Sequence, residues 1–187
     1  MVGITRIKIE SNWSDWRTKM SDDLAPVANE LYRVEFANLN MPLMEGEEII
    51  TCTKSEAMAR YDWREGIDVI LRFSGGAKAT LQEKYLTYHE STATFEERKT
   101  SGAEGAWYYC TAQYYFVGYA RKYLDKNILK FQDGMMVDFP AIKRADMQER
   151  IDWKFNGNGR DGRRATFRYI NFDDVPQDCR IWRMWID

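Results

Sequence analysis

A chain of 187 residues, 44% hydrophobic and 30% charged, has the composition of an ordinary globular protein and can bury one sizeable core. Its net charge of -2 argues against a protein that coats nucleic acid through bulk positive charge, although a locally basic cleft is compatible with it. Cys52, Cys110 and Cys179 are scattered and His89 is the one histidine, which excludes the usual structural zinc site and suits reduced thiols.

No apolar run approaches the roughly 20 residues that span a bilayer, and the first ten residues are too polar for a signal peptide. The expectation is a soluble, cytoplasmic protein without a membrane partner. Its aromatic residues, 27 in all (7 Trp, 11 Tyr and 9 Phe), are read as packing before base stacking.

In chain order, residues 4–9 alternate like a strand. Residues 14–36 read as helical around Trp13, Trp16, Met20, Leu24, Val27, Leu31 and Val34 at spacings of three and four, a helix kinked or divided at Pro26. Residues 38–46 are turn-like, and 53–63 predict a second helix capped by Thr53 or Ser55. The period then changes. Residues 66–73 read as a strand, Ser74-Gly75-Gly76 as a hairpin turn, 78–88 as the returning strand and 91–100 as a third. A short helix begins in 107–114, followed by a strand over 115–119 and another within 124–137. Asp138-Phe139-Pro140 opens a helix through Arg150. A turn at 156–159, a strand over 166–170 and an apolar segment at 181–185 complete the chain.

Asp68 interrupts the apolar run Ile67-Asp68-Val69-Ile70-Leu71. A carboxylate there is expensive to bury unless it is paired or holds a cation. On the returning strand, alternation points Gln82 and Lys84 one way and Glu83 the other. Asp68 with the Gln82 oxygen could hold Mg²⁺ or Mn²⁺. Lys84 could orient an attacking water and offset charge on a phosphate. The bland alternative is an acid facing solvent on a half-exposed strand.

The segments "GIDVIL" and "TLQEKYLTY" resemble the core of PD-(D/E)XK nucleases, in the QxK form found in Mrr-type restriction endonucleases. The resemblance covers residues 66–88 and extends toward 119. It implies that Asp68 is the first acidic ligand, Gln82 the second ligand and Lys84 the catalytic lysine. It also implies one more acid from the preceding helix, where Asp62 and Glu56 are the positions offered and Glu56 reads better as a surface acid.

Two alternatives stay open. A bulge would make Glu83 the acid in place of Gln82. Glu97, in Glu97-Arg98-Lys99 on the next strand, is a supplementary metal ligand reaching over, and Glu96 adds negative charge beside it. Arg160, Arg163, Arg164 and Arg168 form a basic run that reads equally as a solvated hairpin or as phosphate contacts.

The expectation is therefore an α/β (α+β) fold in which a mixed central sheet is flanked by helices. It would be a single restriction-endonuclease-like domain over 1–187, with an N-terminal helical segment and a C-terminal hairpin extension. Its function would be Mg²⁺-dependent hydrolysis of DNA, with RNA and a homodimer both open; its small size suits a phage or mobile-element protein. The rival is a non-catalytic nucleic-acid-binding or interaction module of the same fold, with Asp68 and Lys84 as a structural ion pair.

Overall fold

A spacing of four through Met20, Leu24, Ala28, Tyr32 and Phe36 sets one buried stripe along the first helix, α1 (Asp15–Asn38). The computed structural model describes residues 15–44, 65–86, 90–120, 130–156 and 165–185. The predicted strand at 4–9, the helix at 53–63 and most of the turn at 156–159 lie outside them. Pro26 does not divide α1, which runs through it with the proline on the exposed side. Asn40, at φ 58°, closes the helix in the left-handed region, and Met41 N–H returns to the Phe36 carbonyl at 2.8 Å.

The hairpin forms where the glycines predict it. Strands β1 (Val69–Arg72) and β2 (Lys78–Leu86) pair antiparallel, with Val69 opposite Leu81 and Arg72 opposite Lys78. Gly76 takes φ 82°, which a side chain would strain, and its N–H donates to the Phe73 carbonyl at 2.8 Å.

The third strand does not continue this sheet. β3 (Thr92–Arg98) leaves this sheet, and after the short helix α2 (Ala106–Tyr109) the chain returns as β4 (Tyr114–Ala120), parallel to β2. β5 (Phe131–Asp138) pairs antiparallel with β4. Helix α3 (Phe139–Met147) starts where predicted, capped by Asp138, which accepts from Ala141 N–H at 2.7 Å, and with a proline in its first turn. It stops short of Arg150, where Glu149 turns left-handed at φ 56°.

Strands β6 (Lys154–Asn156) and β7 (Thr166–Asn171) and the final strand β8 (Arg180–Trp185) complete two sheets. The first is five-stranded and mixed, in the order β1-β2-β4-β5-β8; the second is three-stranded and antiparallel, in the order β3-β7-β6. The fold is thus mixed α/β.

Each face of the large sheet carries its own apolar cluster. Val69, Leu71, Leu81, Phe116 and Met136 pack on α1. Tyr115, Val117, Tyr119 and Val137 pack on the opposite side against Phe95, Ile170 and Ile142. One face is therefore covered by a helix, as expected, and the other largely by the small sheet with α2 and α3. Among the described residues no helix is long and apolar enough to cross a membrane.

Candidate active site

Gly66 sets the entry to β1. At φ 59° its missing side chain lets the backbone lie against Cys110, where a Cβ would stand 3.0 Å from that residue's own Cβ. The Cys110 thiol donates to the Gly66 carbonyl at 3.1 Å, and Thr111 N–H to the Glu65 carbonyl at 2.7 Å. The chain then joins the sheet with Asp68 N–H on the Leu81 carbonyl at 2.9 Å. Since Val69 pairs with Leu81, Asp68 falls opposite Gln82.

Alternation assigns the faces. Val69 and Leu71 belong to the α1 side, whereas Ile70 packs on the other cluster, and Asp68 shares the side of Ile70. On β2, Leu81 and Tyr85 face α1, and Gln82, Lys84 and Leu86 face the small sheet. The structure therefore brings Asp68, Gln82 and Lys84 to one face.

Asp68 and Gln82 touch: the Gln82 amide nitrogen donates to Asp68 Oδ2, which also accepts from Glu83 N–H at 2.8 Å. Lys84 stands one side-chain repeat further along, about 7 Å on by strand geometry. Its ammonium lies 4.2 Å from the centroid of the Phe167 ring, which reaches in from β7.

β4 supplies the next side chain in the row. Gln82 pairs with Tyr115 and Lys84 with Val117. Tyr115 is buried, and its hydroxyl donates to the Thr94 carbonyl at 3.4 Å. Burial first, then the negative charges of Cys110, Asp68 and Glu96, hold the Tyr115 phenol well above the usual tyrosine range. Burial pushes the Cys110 thiol up to about 12, despite the nearby Lys143 ammonium. Neither group is a nucleophile at neutral pH.

Three expectations are corrected by position. Glu83 cannot replace Gln82, because it points to the α1 side, where Tyr32 Oη donates to its carboxylate at 2.7 Å. Glu97 does not reach over as a supplementary ligand. Its carboxylate is held by Arg168, whose Nε donates to it at 3.0 Å.

Arg168 in turn is no open phosphate contact. It is buried at 9% exposure, donates to Asp146 at 3.1 Å and stacks 4.3 Å from the Trp107 ring centroid. Of the two acids on β3, Glu96 is the one whose charge is felt at Tyr115. Asp62, Glu56, Arg160, Arg163 and Arg164 lie outside the described residues.

Tyr115, Glu96 and Phe167 were not singled out by spacing as site residues. Tyr115 reads in sequence as sheet packing, and nothing local announces that Phe167 crosses to Lys84.

Among the described residues no group of three His, Cys, Asp or Glu side chains is assembled to hold a metal. The oxygen donors at the face are instead a carboxylate and an amide. That set suits Mg²⁺, which keeps several waters and takes one or two carboxylates plus substrate phosphate rather than a protein cage. Gln82 presents its nitrogen to Asp68. For its oxygen to join Asp68 on a cation the amide must turn over, a rotation that leaves its outline unchanged.

No family model matches this chain, and no curated protein or solved structure is significantly similar to it.

Proposed function

We propose that this protein is a divalent-metal-dependent nuclease that hydrolyses DNA phosphodiesters in the cytoplasm. The observation that carries this reading is the contact between Asp68 and Gln82 on adjacent antiparallel strands, with Lys84 on the same face. Asp68 and Gln82 would hold Mg²⁺, or Mn²⁺ in its place, with water and phosphate completing the shell. When bound there, the ion would supply Lewis-acid polarisation of the phosphate and lower the pKa of a water. Lys84 carries the remaining charge work, a fixed ammonium against the negative charge that builds on the phosphoryl oxygens.

The direct experiment is cleavage of supercoiled plasmid, linear duplex and single-stranded oligonucleotides, DNA and RNA, with Mg²⁺ or Mn²⁺ and with EDTA. Metal-dependent cutting that Lys84→Ala abolishes while the fold persists supports the reading. Equal cutting by the two proteins removes Lys84 from the chemistry, and no cutting of any substrate removes the reading.

A second reading rests on one observation. Asp68 Oδ2 already accepts from both Gln82 and Glu83 N–H, so the carboxylate straps the entry of β1 to β2. On that reading the domain is a non-catalytic binding or interaction module, and its stability is indifferent to divalent cations.

A further inference from the structure

A lysine carries its charge on four rotatable methylenes, so an ammonium at a reactive centre has to be confined to be useful. Here the confinement comes from another sheet. The Lys84 ammonium lies 4.2 Å from the Phe167 ring centroid, within the range at which a ring face attracts a cation, and the attraction strengthens as water is excluded.

Phe167 is well placed to be rigid. It sits on β7, the central strand of the small sheet, opposite Glu96 on β3 and Asn156 on β6. The next residue, Arg168, anchors β7 from its other face through Glu97 and Asp146 and by stacking on Trp107. A ring held between two paired strands, beside a buried ion cluster, is a firmer seat than a loop would provide.

We propose that Phe167 is a positioning residue for Lys84. Its ring holds the ammonium beside the Asp68–Gln82 pair, so the three-stranded sheet completes a site whose other parts lie on β1 and β2. The inference rests on the role given to Lys84 above.

The test compares wild type with Phe167→Leu, Phe167→Tyr and Lys84→Ala. Phe167→Leu keeps an apolar side chain and removes the ring; Phe167→Tyr keeps the ring. Melting curves establish that each variant is folded. With Mg²⁺ and DNA, Phe167→Leu should lose roughly ten- to a hundred-fold in kcat, the scale of a misplaced catalytic group, with KM within about twofold. Phe167→Tyr should retain most of the activity.

Pulse labelling with an amine-reactive ester, read at Lys84 by peptide mass spectrometry, should rise several-fold in Phe167→Leu and stay level in Phe167→Tyr. This arm needs neither metal nor cleavage. Unchanged labelling in Phe167→Leu overturns the seat. Raised labelling with wild-type kcat overturns its contribution to the reaction. A fall in Phe167→Tyr as deep as in Phe167→Leu reduces the residue to packing. If Lys84→Ala cleaves as well as wild type, the assignment of Lys84 itself has failed, and that arm alone reports it.

Discussion

Tyr32 on the long helix donates a hydrogen bond of 2.7 Å to Glu83 on β2, on the side of the strand away from Gln82 and Lys84. The contact joins α1 to the strand that carries the candidate site, and it fixes which of three consecutive polar residues is turned away from the chemistry. Tyr32 is fully buried and its ring meets Phe116 edge-on at 5.5 Å, so the hydroxyl is carried in on a side chain the core already holds.

Tyr32→Phe should therefore cost about 1.5–3 kcal/mol, the scale of one hydrogen bond to a charged group. Glu83→Gln, which can still accept from the phenol, should cost less. Neither change should alter cleavage, because neither touches the other face of β2. Urea denaturation gives the stability term, and a loss of metal-dependent activity in Glu83→Gln with the fold intact would return that residue to the site.

Arg168 should matter to folding far more than to nucleic acid. Its guanidinium is shared between Glu97 and Asp146 and lies over Trp107, at 9% exposure. Removing one partner of a buried ionic group leaves the others uncompensated, so Arg168→Met should destabilise the protein by about 3–5 kcal/mol. Asp146 keeps an accepted bond from Trp153 Nε1, which softens the loss on that side. Denaturant unfolding measures this directly. A variant as stable as wild type, with DNA affinity lowered and its salt dependence flattened, would reinstate Arg168 as a phosphate contact.

Alkaline pH should weaken the fold through groups that keep their protons only when buried. Burial, the largest cause, raises the Cys110 thiol from its ordinary 9.0 to about 12, and also raises Tyr115 well above 10.0. In the unfolded chain both lose protons at their ordinary values, so above about pH 9 the folded state binds more protons than the unfolded one. Stability is then fully present below pH 9 and falls as pH rises toward 12. Cys110→Ala starts less stable, because it opens a cavity, but should decline less steeply between pH 9 and 10, before the tyrosine contributes. Urea midpoints across that interval decide, and parallel slopes for the two proteins would exclude the thiol as the cause.

What the sequence disclosed follows the range of the interactions involved. The α1 stripe, the Ser74-Gly75-Gly76 turn and the Asp138 cap are local, and each shows as a period or a short motif. The face shared by Gln82 and Lys84 follows from alternation, but alternation leaves a bulge open, and it is the contact with Tyr32 that turns Glu83 away from the site. The fate of β3 does not. Its partner β7 lies some seventy residues later, with Phe95 opposite Arg168, and no local pattern separates that pairing from a third strand of a meander.

The error over Glu97 and Arg168 is the same one. Glu97 reads locally as a metal ligand and Arg168 as a solvated or phosphate-binding charge in a run, and they satisfy one another only once two distant strands are side by side. The alternation of β7 did hold a hint, since Arg168 shares its face with Ile170, which belongs to the core. The Phe167–Lys84 contact joins the two sheets and was invisible for the same reason.

Asp68→Asn separates the two functional readings, because asparagine keeps an oxygen where the structural work is done. Asp68 Oδ2 accepts from Gln82 and from Glu83 N–H. An asparagine carbonyl can take both bonds with the same outline, so the strap from β1 to β2 should survive and the melting temperature without metal should stay close to wild type. A divalent cation is different. It needs the carboxylate charge, and losing that from a site with an amide as its other protein donor should weaken Mn²⁺ or Mg²⁺ binding at least tenfold. Wild type should therefore gain stability as the cation is raised above its dissociation constant, by about 2.7 kcal/mol at a hundredfold excess, and Asp68→Asn should not. The measurement is a thermal melt across a Mn²⁺ series, repeated with Mg²⁺ and with EDTA. A metal-dependent gain that is the same in both proteins would place the cation elsewhere. No gain in wild type, with Asp68→Asn equally stable, would leave Asp68 as a strap between two strands and the domain as a binding module.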